Sequence, residues 1–136
     1  MIYLIDYDAG NLLSIKRALN FLKFKFVTVQ KINDISSKDL LLIPGVGSFA
    51  HASTRIKKSG LMELAKQTPT NRPFILGICL GMQLLMRQGF EGKKSEGLNL
   101  IDGSVESIFS KKPKSLDIPK TIIGWQNYEI TKNISH

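Results

Sequence analysis

The sequence contains few of the residues that most often carry catalytic chemistry. Its 136 residues include one cysteine, Cys79, and two histidines, His51 and His136. A single cysteine excludes an internal disulfide and is typical of a reducing compartment. No apolar run approaches the roughly 20 residues that span a bilayer, and residues 1–6 lack the basic start of a signal peptide. These absences predict a cytoplasmic protein.

Positive charge is in excess, because 19 lysines and arginines against 11 acids give a net charge of +8. A basic protein can bind nucleic acid. Here the lysines are scattered, with short clusters at residues 57–58, 93–94 and 111–114 and no aromatic residues between them. We interpret them as a solvated surface and expect no nucleic-acid or membrane partner. A basic face for an anionic substrate or an acidic partner subunit is the alternative.

Hydrophobic periodicity predicts strands that alternate with helices. Apolar or alternating runs at residues 2–5, 24–29, 40–43 and 74–77 are typical of strands. Helical spacing begins near residue 11 and resumes at residues 52–58, 61–66 and 82–86. Farther along we expect a short structured return at residues 97–103, a strand at 105–109, an exposed linker at 111–120 and strands within 121–130.

This alternation predicts a single α/β domain over residues 1–136, with a mostly parallel sheet and helices on both faces. In such folds ligands bind at the carboxyl ends of the strands. The turns after Ile5, Ile43 and Ile78 would all lie at that edge, and they are the most chemically unusual turns in the chain. Their coincidence predicts a site there.

Cys79 lies between Gly77 and Gly81, where an apolar strand gives way to a helical pattern. This is the pattern of a nucleophile elbow, a turn so tight that side chains at the two bracketing positions would clash. Amides of the following helix would favour a thiolate and stabilise an oxyanion. The alternative is a small buried hydrophobe without chemistry, but Gln83, close behind the cysteine, favours catalysis.

A second glycine-rich turn follows the strand at residues 40–43. Residues 45–50 match the G-x-G-x-x-A pattern of dinucleotide binding. However, Pro44 precedes the first glycine, and the acid expected about 20 residues on has no strand-end candidate, since Glu63 lies inside a helical pattern. We prefer an oxyanion hole beside the nucleophile, because glycine frees the backbone amides to turn.

The general base is the gap in this interpretation. A cysteine nucleophile normally works with a histidine that is backed by a carboxylate. His51 lies in a helical pattern, where a surface or packing role is more common, and His136 is the last residue of the sequence. The sequence therefore predicts a nucleophile and oxyanion donors but no convincing triad.

Together these motifs resemble the class I (triad-type) glutamine amidotransferases. Residues 77–83, GICLGMQ, resemble their nucleophile signature, and residues 44–47, PGVG, resemble their oxyanion strand. Four further segments narrow the resemblance to the glutaminase subunits of imidazole glycerol phosphate synthases: Asp6-Tyr7, Gly10-Asn11, residues 97–103 and Gly124-Trp125.

The resemblance implies a flavodoxin-like fold and cofactor-free, metal-free hydrolysis of glutamine to glutamate and ammonia. It implies that Cys79 is the nucleophile and that backbone amides of Val46, Gly47 and Leu80 bind the oxyanion. It further implies that Gly47, Gln83 and Glu91 bind the amino-acid end of glutamine. The implied partner is a cyclase subunit of the (β/α)8-barrel type, with which the chain would form a heterodimer. Trp125 would lie near the interface, and the cyclase would receive the ammonia for histidine biosynthesis.

The sequence departs from the family in two places. The usual Pro-His-x-Gly-Trp-Asn reads TIIGWQ at residues 121–126, which puts the contacts of that histidine and asparagine in doubt. The family's catalytic His-x-Glu does not occur before His136, so we expect a domain whose C-terminal part is missing and whose 136 residues are inactive alone.

Three alternatives stay open. One is a related amidotransferase subunit for a surface-polysaccharide sugar, and another is a truncated subunit that only docks on its partner. The third is a different cysteine enzyme, such as a peptidase or a deglycase-like protein, which the spacing of Gln83 and Glu91 disfavours.

Overall fold

Four short strands form a parallel sheet at the centre of the protein, which a computed structural model describes over residues 1–32, 35–107 and 127. The strands are β1 (Ile2–Ile5), β2 (Phe26–Val29), β3 (Leu40–Ile43) and β4 (Phe74–Gly77). They lie in the order β2-β1-β3-β4, and each neighbouring pair is parallel. The predicted parallel sheet is confirmed.

The two longer helices begin where a polar side chain accepts a hydrogen bond from a first-turn amide. The described helices are α1 (Leu12–Phe21), α2 (Phe49–Ser59), α3 (Leu61–Ala65) and α4 (Leu80–Leu84). Asn11 caps α1 and Ser48 caps α2, so α2 begins earlier than the predicted residue 52. None of the helices in the described ranges has the length and apolar character needed to cross a membrane.

The helices cover both faces of the sheet, because successive side chains of a strand point to opposite sides. Leu4 and Leu42 pack with Leu19 of α1 on one face. The larger cluster on the other face contains the alternate strand residues and the buried residues of α2 and α3: Ile5, Leu41, Ile43, Phe49, Ala52, Ile56, Leu61 and Leu64.

A second, smaller sheet follows the elbow. Its strands are β5 (Met86–Gly89), β6 (Ser95–Glu96) and β7 (Ile101–Val105), in the order β6-β5-β7. The helical interpretation of Met86 is wrong, since that residue begins β5. The carbonyls of Leu84 and Leu85 accept hydrogen bonds from the amides of Leu98 at 2.7 Å and Leu100 at 2.8 Å. These long-range bonds replace those that would have continued the helix.

Of the C-terminal predictions, one strand lies at other residues than expected, and the rest fall outside the described residues. The strand expected at residues 105–109 lies earlier, at β7. The other C-terminal predictions fall outside the described residues. They are residue 109, the linker at 111–120, the strands within 121–130 (apart from residue 127), Trp125 and His136.

Phe49 joins the central sheet to the small one. Its side chain is fully buried. A Cβ added to Gly89 of β5 would lie only 2.5 Å from Cδ1 of Phe49, so the ring packs directly on the backbone of that strand. Glycine is the residue that leaves room for the ring.

We expect Phe49→Ala to lower the free energy of unfolding by about 3–5 kcal/mol, as truncation of a buried aromatic does. The matched control is Phe21→Ala, because Phe21 of α1 is 85% exposed. The control should change stability by less than about 0.5 kcal/mol. Urea unfolding followed by circular dichroism measures both variants. Equal losses would contradict the placement of Phe49 in the core.

Candidate active site

Three turns meet at the carboxyl edge of the central sheet, as the sequence predicted. They are the turn after β1 (residues 6–11), the glycine loop after β3 (residues 44–48) and the elbow after β4 (residues 78–79). The Tyr7 hydroxyl donates to the Pro44 carbonyl at 2.6 Å, and the Ile78 amide donates to the Ile43 carbonyl at 2.9 Å. Hydrogen bonds therefore join the glycine loop to the β1 turn, and the elbow to the end of β3.

Cys79 stands at the apex of the elbow in a strained backbone conformation. Its φ is 55° and its ψ is −118°, a combination that costs a non-glycine residue about 1–3 kcal/mol. The residue is exposed and directly precedes α4. The Gln83 amide donates to the Cys79 carbonyl at 3.1 Å. The predicted strand–turn–helix around the cysteine is confirmed, and the alternative of a buried hydrophobe is not.

Close backbone packing explains the two glycines that bracket the cysteine. A Cβ on Gly77 would lie 2.6 Å from the backbone N and Cα of Met82. A Cβ on Gly81 would lie 1.8 Å from the Ile43 carbonyl oxygen. Neither position has room for a side chain, so the predicted clash at both positions is confirmed.

Leu80 is the first residue of α4 and its side chain is buried. Amides in the first turn of a helix have no acceptor within the helix. The Leu80 amide therefore directly follows Cys79 and has no acceptor within α4.

The glycine loop packs against the elbow through Gly45. A Cβ on Gly45 would lie 2.8 Å from the Gly81 amide nitrogen and 2.9 Å from Cβ of Leu80. Gly47 has a φ of 105° and open space where a Cβ would stand. The loop thus lies beside Cys79, and its conformation at Gly47 is one that favours glycine.

The Val46 amide has a partner other than the nucleophile. It donates to the Ala9 carbonyl in the β1 turn at 3.3 Å, while the Val46 side chain is 56% exposed. In this conformation the amide is directed at the β1 turn. The structure therefore brings Val46 into the site but shows its N–H already engaged.

Glu91 reaches the site from the small sheet. One carboxylate oxygen, Oε2, accepts a hydrogen bond from the Phe49 amide at 2.7 Å. Phe49 begins α2, and the positive end of a helix dipole favours a carboxylate. The contact places the Glu91 carboxylate at the start of α2, where the glycine loop ends. Gln83 lies half-buried in α4, one helical turn after Cys79.

Of the two histidines, the described part of the chain contains only His51. It lies on α2 with an exposed side chain, and its amide donates to the Ser48 hydroxyl at 3.4 Å. This placement agrees with the surface role that the sequence favoured.

Tyr7 is the residue whose part in the site the sequence analysis missed. Its side chain is buried at 5% exposure. Burial of the ring, and secondarily the charge of a Cys79 thiolate, raise the pKa of the Tyr7 hydroxyl well above its ordinary value. The hydroxyl therefore stays protonated and can donate. The available signal was an aromatic residue in an otherwise polar turn at a strand end.

A concavity of about 350 Å³ lies elsewhere, at the amino-terminal end of β4, where Arg72, Phe74 and Leu100 are among its lining residues. Cys79 follows the opposite end of the same strand. Ligands of parallel α/β folds bind at carboxyl ends, so we do not assign this concavity to the site.

Comparison with known proteins agrees with the fold and the elbow. The family model for glutamine amidotransferase class-I matches residues 3–133. The chain belongs to the class I glutamine amidotransferase family. The predicted family and its α/β fold are therefore confirmed, whereas the roles of individual residues stay predictions.

Curated relatives carry a more specific name. The imidazole glycerol phosphate synthase subunit HisH 1 of Campylobacter jejuni (strain RM1221) is 41% identical over 135 residues, which cover 98% of this chain and 65% of the relative. Subunit HisH of Carboxydothermus hydrogenoformans is 41% identical over 142 residues, covering 98% of this chain and 68% of the relative. The chain thus spans slightly less than two thirds of the Campylobacter protein.

We expect Gly81→Ala to destabilise the protein by about 3 kcal/mol or more, because the new methyl group would overlap the Ile43 carbonyl. The control is Gly10→Ala in the β1 turn, where the nearest atom to a new Cβ is Pro44 Cγ at 3.5 Å. That variant should lie within about 1 kcal/mol of the wild type. Urea unfolding compares them. Equal stability of the two variants would show that the elbow does not rest on β3 in this way.

Proposed function

We propose that the chain is the glutaminase part of an imidazole glycerol phosphate synthase. It hydrolyses glutamine to glutamate and ammonia, and the ammonia passes to a (β/α)8-barrel cyclase subunit in a heterodimer. The observation that carries the glutaminase half is the strained, exposed Cys79 at the elbow of a class I glutamine amidotransferase chain. The names of the relatives support the acceptor and the partner.

In this proposal Cys79 acts by nucleophilic catalysis. Its sulfur attacks the side-chain carboxamide carbon of glutamine, and the carbonyl oxygen takes up the electron pair. As the C–N bond breaks, the nitrogen takes up the proton that the thiol has lost and leaves as ammonia, and a thioester joins the glutamyl group to the cysteine. Water then attacks the thioester, releases glutamate and restores the thiol. Both tetrahedral intermediates carry negative charge on oxygen, so fixed N–H donors accelerate both halves.

The oxyanion donors we propose are the amides of Leu80, Val46 and Gly47. The Leu80 amide follows the nucleophile directly and needs no rearrangement. The Val46 amide must first leave the Ala9 carbonyl, and that bond is long at 3.3 Å. Exchanging one hydrogen bond for another to a charged oxygen is favourable, because bonds to ionised acceptors are the stronger ones. Gly47, with its open surroundings, permits the turn of the backbone.

We propose that Glu91, Gln83 and Gly47 bind the amino-acid end of glutamine. A carboxylate has about four lone-pair sites. The bond from the Phe49 amide to Glu91 therefore leaves capacity for the substrate ammonium group. The same bond fixes the carboxylate beside the glycine loop. Substrate recognition and the oxyanion donors would then share one support, the start of α2.

The test uses the chloroketone analogue of glutamine. A thiolate attacks its chloromethyl carbon, an S–C bond forms and chloride leaves, so the reaction needs no proton transfer to a leaving amine. We expect stoichiometric labelling of Cys79, with protection by glutamine and none by asparagine. Cys79→Ser should fold like the wild type and resist labelling, because the change is nearly isosteric. Labelling of Cys79→Ala at the wild-type rate, or no protection by glutamine, would overturn the proposed function.

We also expect Gly47→Ala to damage the chemistry more than the fold. Alanine at a φ of 105° costs about 1–2 kcal/mol of stability, but misdirecting one oxyanion donor costs about 10²–10³ in rate. The readout is the rate of chloroketone labelling.

Gly60→Ala is the matched control for this prediction, because Gly60 also has a positive φ, 84°, but separates α2 from α3. A Cβ there would come no closer than 3.4 Å to its nearest neighbour, the Ile32 carbonyl oxygen. Gly60→Ala should lose a similar amount of stability, but its Cys79 should be labelled by the chloroketone at the wild-type rate. If the labelling rate fell equally in the two variants, the loss would be due to backbone strain in general and not to a misdirected oxyanion donor.

A further inference from the structure

Tyr7 makes the shortest side-chain contact to the glycine loop. Its hydroxyl donates to the Pro44 carbonyl at 2.6 Å, and the bond is buried. That carbonyl belongs to the peptide that joins Pro44 to Gly45, at the root of the loop. Fixing the carbonyl fixes the plane of this peptide, since a peptide unit is rigid.

The same turn contacts the next peptide of the loop. The Ala9 carbonyl accepts the Val46 amide at 3.3 Å. The β1 turn therefore binds two consecutive peptides, the first through the Tyr7 side chain and the second through its own backbone. The side-chain bond is the shorter of the two, and it is the one that a conservative substitution can remove.

The Tyr7 hydroxyl and the start of α4 both pack against Gly45, at the position that a side chain would occupy. A Cβ on Gly45 would lie 2.6 Å from the Tyr7 hydroxyl oxygen and 2.8 Å from the Gly81 amide nitrogen. The tyrosine hydroxyl and the start of α4 thus fill the space beside Gly45 together, and the loop backbone packs on both. Without the hydroxyl, the loop would lose the hydrogen bond that holds the Pro44 peptide against this contact.

We propose that Tyr7 is a positioning residue, whose hydroxyl sets the distance between the amides of the glycine loop and the Cys79 sulfur. The proposal rests on the proposed glutaminase function, because it assigns Tyr7 to the oxyanion donors of that reaction. In this role Tyr7 acts through the loop, because its hydroxyl donates to the Pro44 carbonyl. If the residue only filled space in the core, phenylalanine would serve equally well.

The test compares Tyr7→Phe with Tyr3→Phe. Both remove one hydroxyl from β1 or the turn that follows it, and Tyr3 packs against the same core cluster without reaching the glycine loop. Two reagents probe Cys79: the chloroketone analogue of glutamine, whose carbonyl oxygen uses the oxyanion donors, and methyl methanethiosulfonate, which a thiolate attacks at sulfur with loss of methanesulfinate. The ratio of the two rates cancels any change in the thiolate fraction.

We expect Tyr7→Phe to slow chloroketone labelling about tenfold, as loss of one hydrogen bond does. The methanethiosulfonate rate should stay within about twofold of the wild type, because that reaction develops no charge on a carbonyl oxygen. Tyr3→Phe should leave both rates unchanged. Unchanged rates in Tyr7→Phe would overturn the proposal, and so would equal losses with both reagents, which would indicate a disturbed elbow.

Hydrogen exchange measured by mass spectrometry gives a readout that does not depend on the reaction. Tyr7→Phe should speed exchange in the peptide covering residues 45–49 but not in residues 80–84. If the wild-type chain is not labelled by the chloroketone, the proposed function fails, and exchange alone then decides whether Tyr7 orders the loop. Unchanged exchange at residues 45–49 would overturn the positioning role whatever the labelling shows.

Discussion

The backbone of the elbow rests directly on the end of β3, and the rest of the carboxyl edge depends on this contact. The Ile43 carbonyl accepts the Ile78 amide at 2.9 Å, and the same oxygen would lie 1.8 Å from a Cβ on Gly81. The end of β4 and the start of α4 are therefore held against one carbonyl group. Cys79, between them, has no relaxed conformation available and adopts a φ of 55°.

The parts around Cys79 come from separate regions of the chain and contact one another. The glycine loop is bordered by Tyr7 from the β1 turn, by Gly81 from α4 and by Glu91 from beyond β5. Phe49 begins α2, fills the space above Gly89 and donates its amide to Glu91. One residue thus couples the core to the site.

The pattern of apolar and polar residues predicted much of the fold. The bounds of β1 and β3 coincide with apolar runs that glycine, proline or polar residues interrupt. The elbow was predicted because two glycines around a cysteine at a strand end indicate a turn without room for side chains. Met86 was misassigned, since an apolar run of leucine and methionine fits a buried strand as well as a helix. In the structure the carbonyls of Leu84 and Leu85 accept hydrogen bonds from the amides of Leu98, Leu100 and Ile101, so the helix ends there.

The sequence by itself determined the parallel sheet, the helices on both faces and the position of Cys79, because these follow from local periodicity and from the conformational freedom of glycine. Only the tertiary structure decided which groups the loop amides face. The Val46 amide faces Ala9, Pro44 accepts from Tyr7 across 37 residues, and Glu91 caps Phe49 across 42. Such partners depend on the register and packing of strands that are distant in sequence, and no local pattern encodes a hydrogen bond between them.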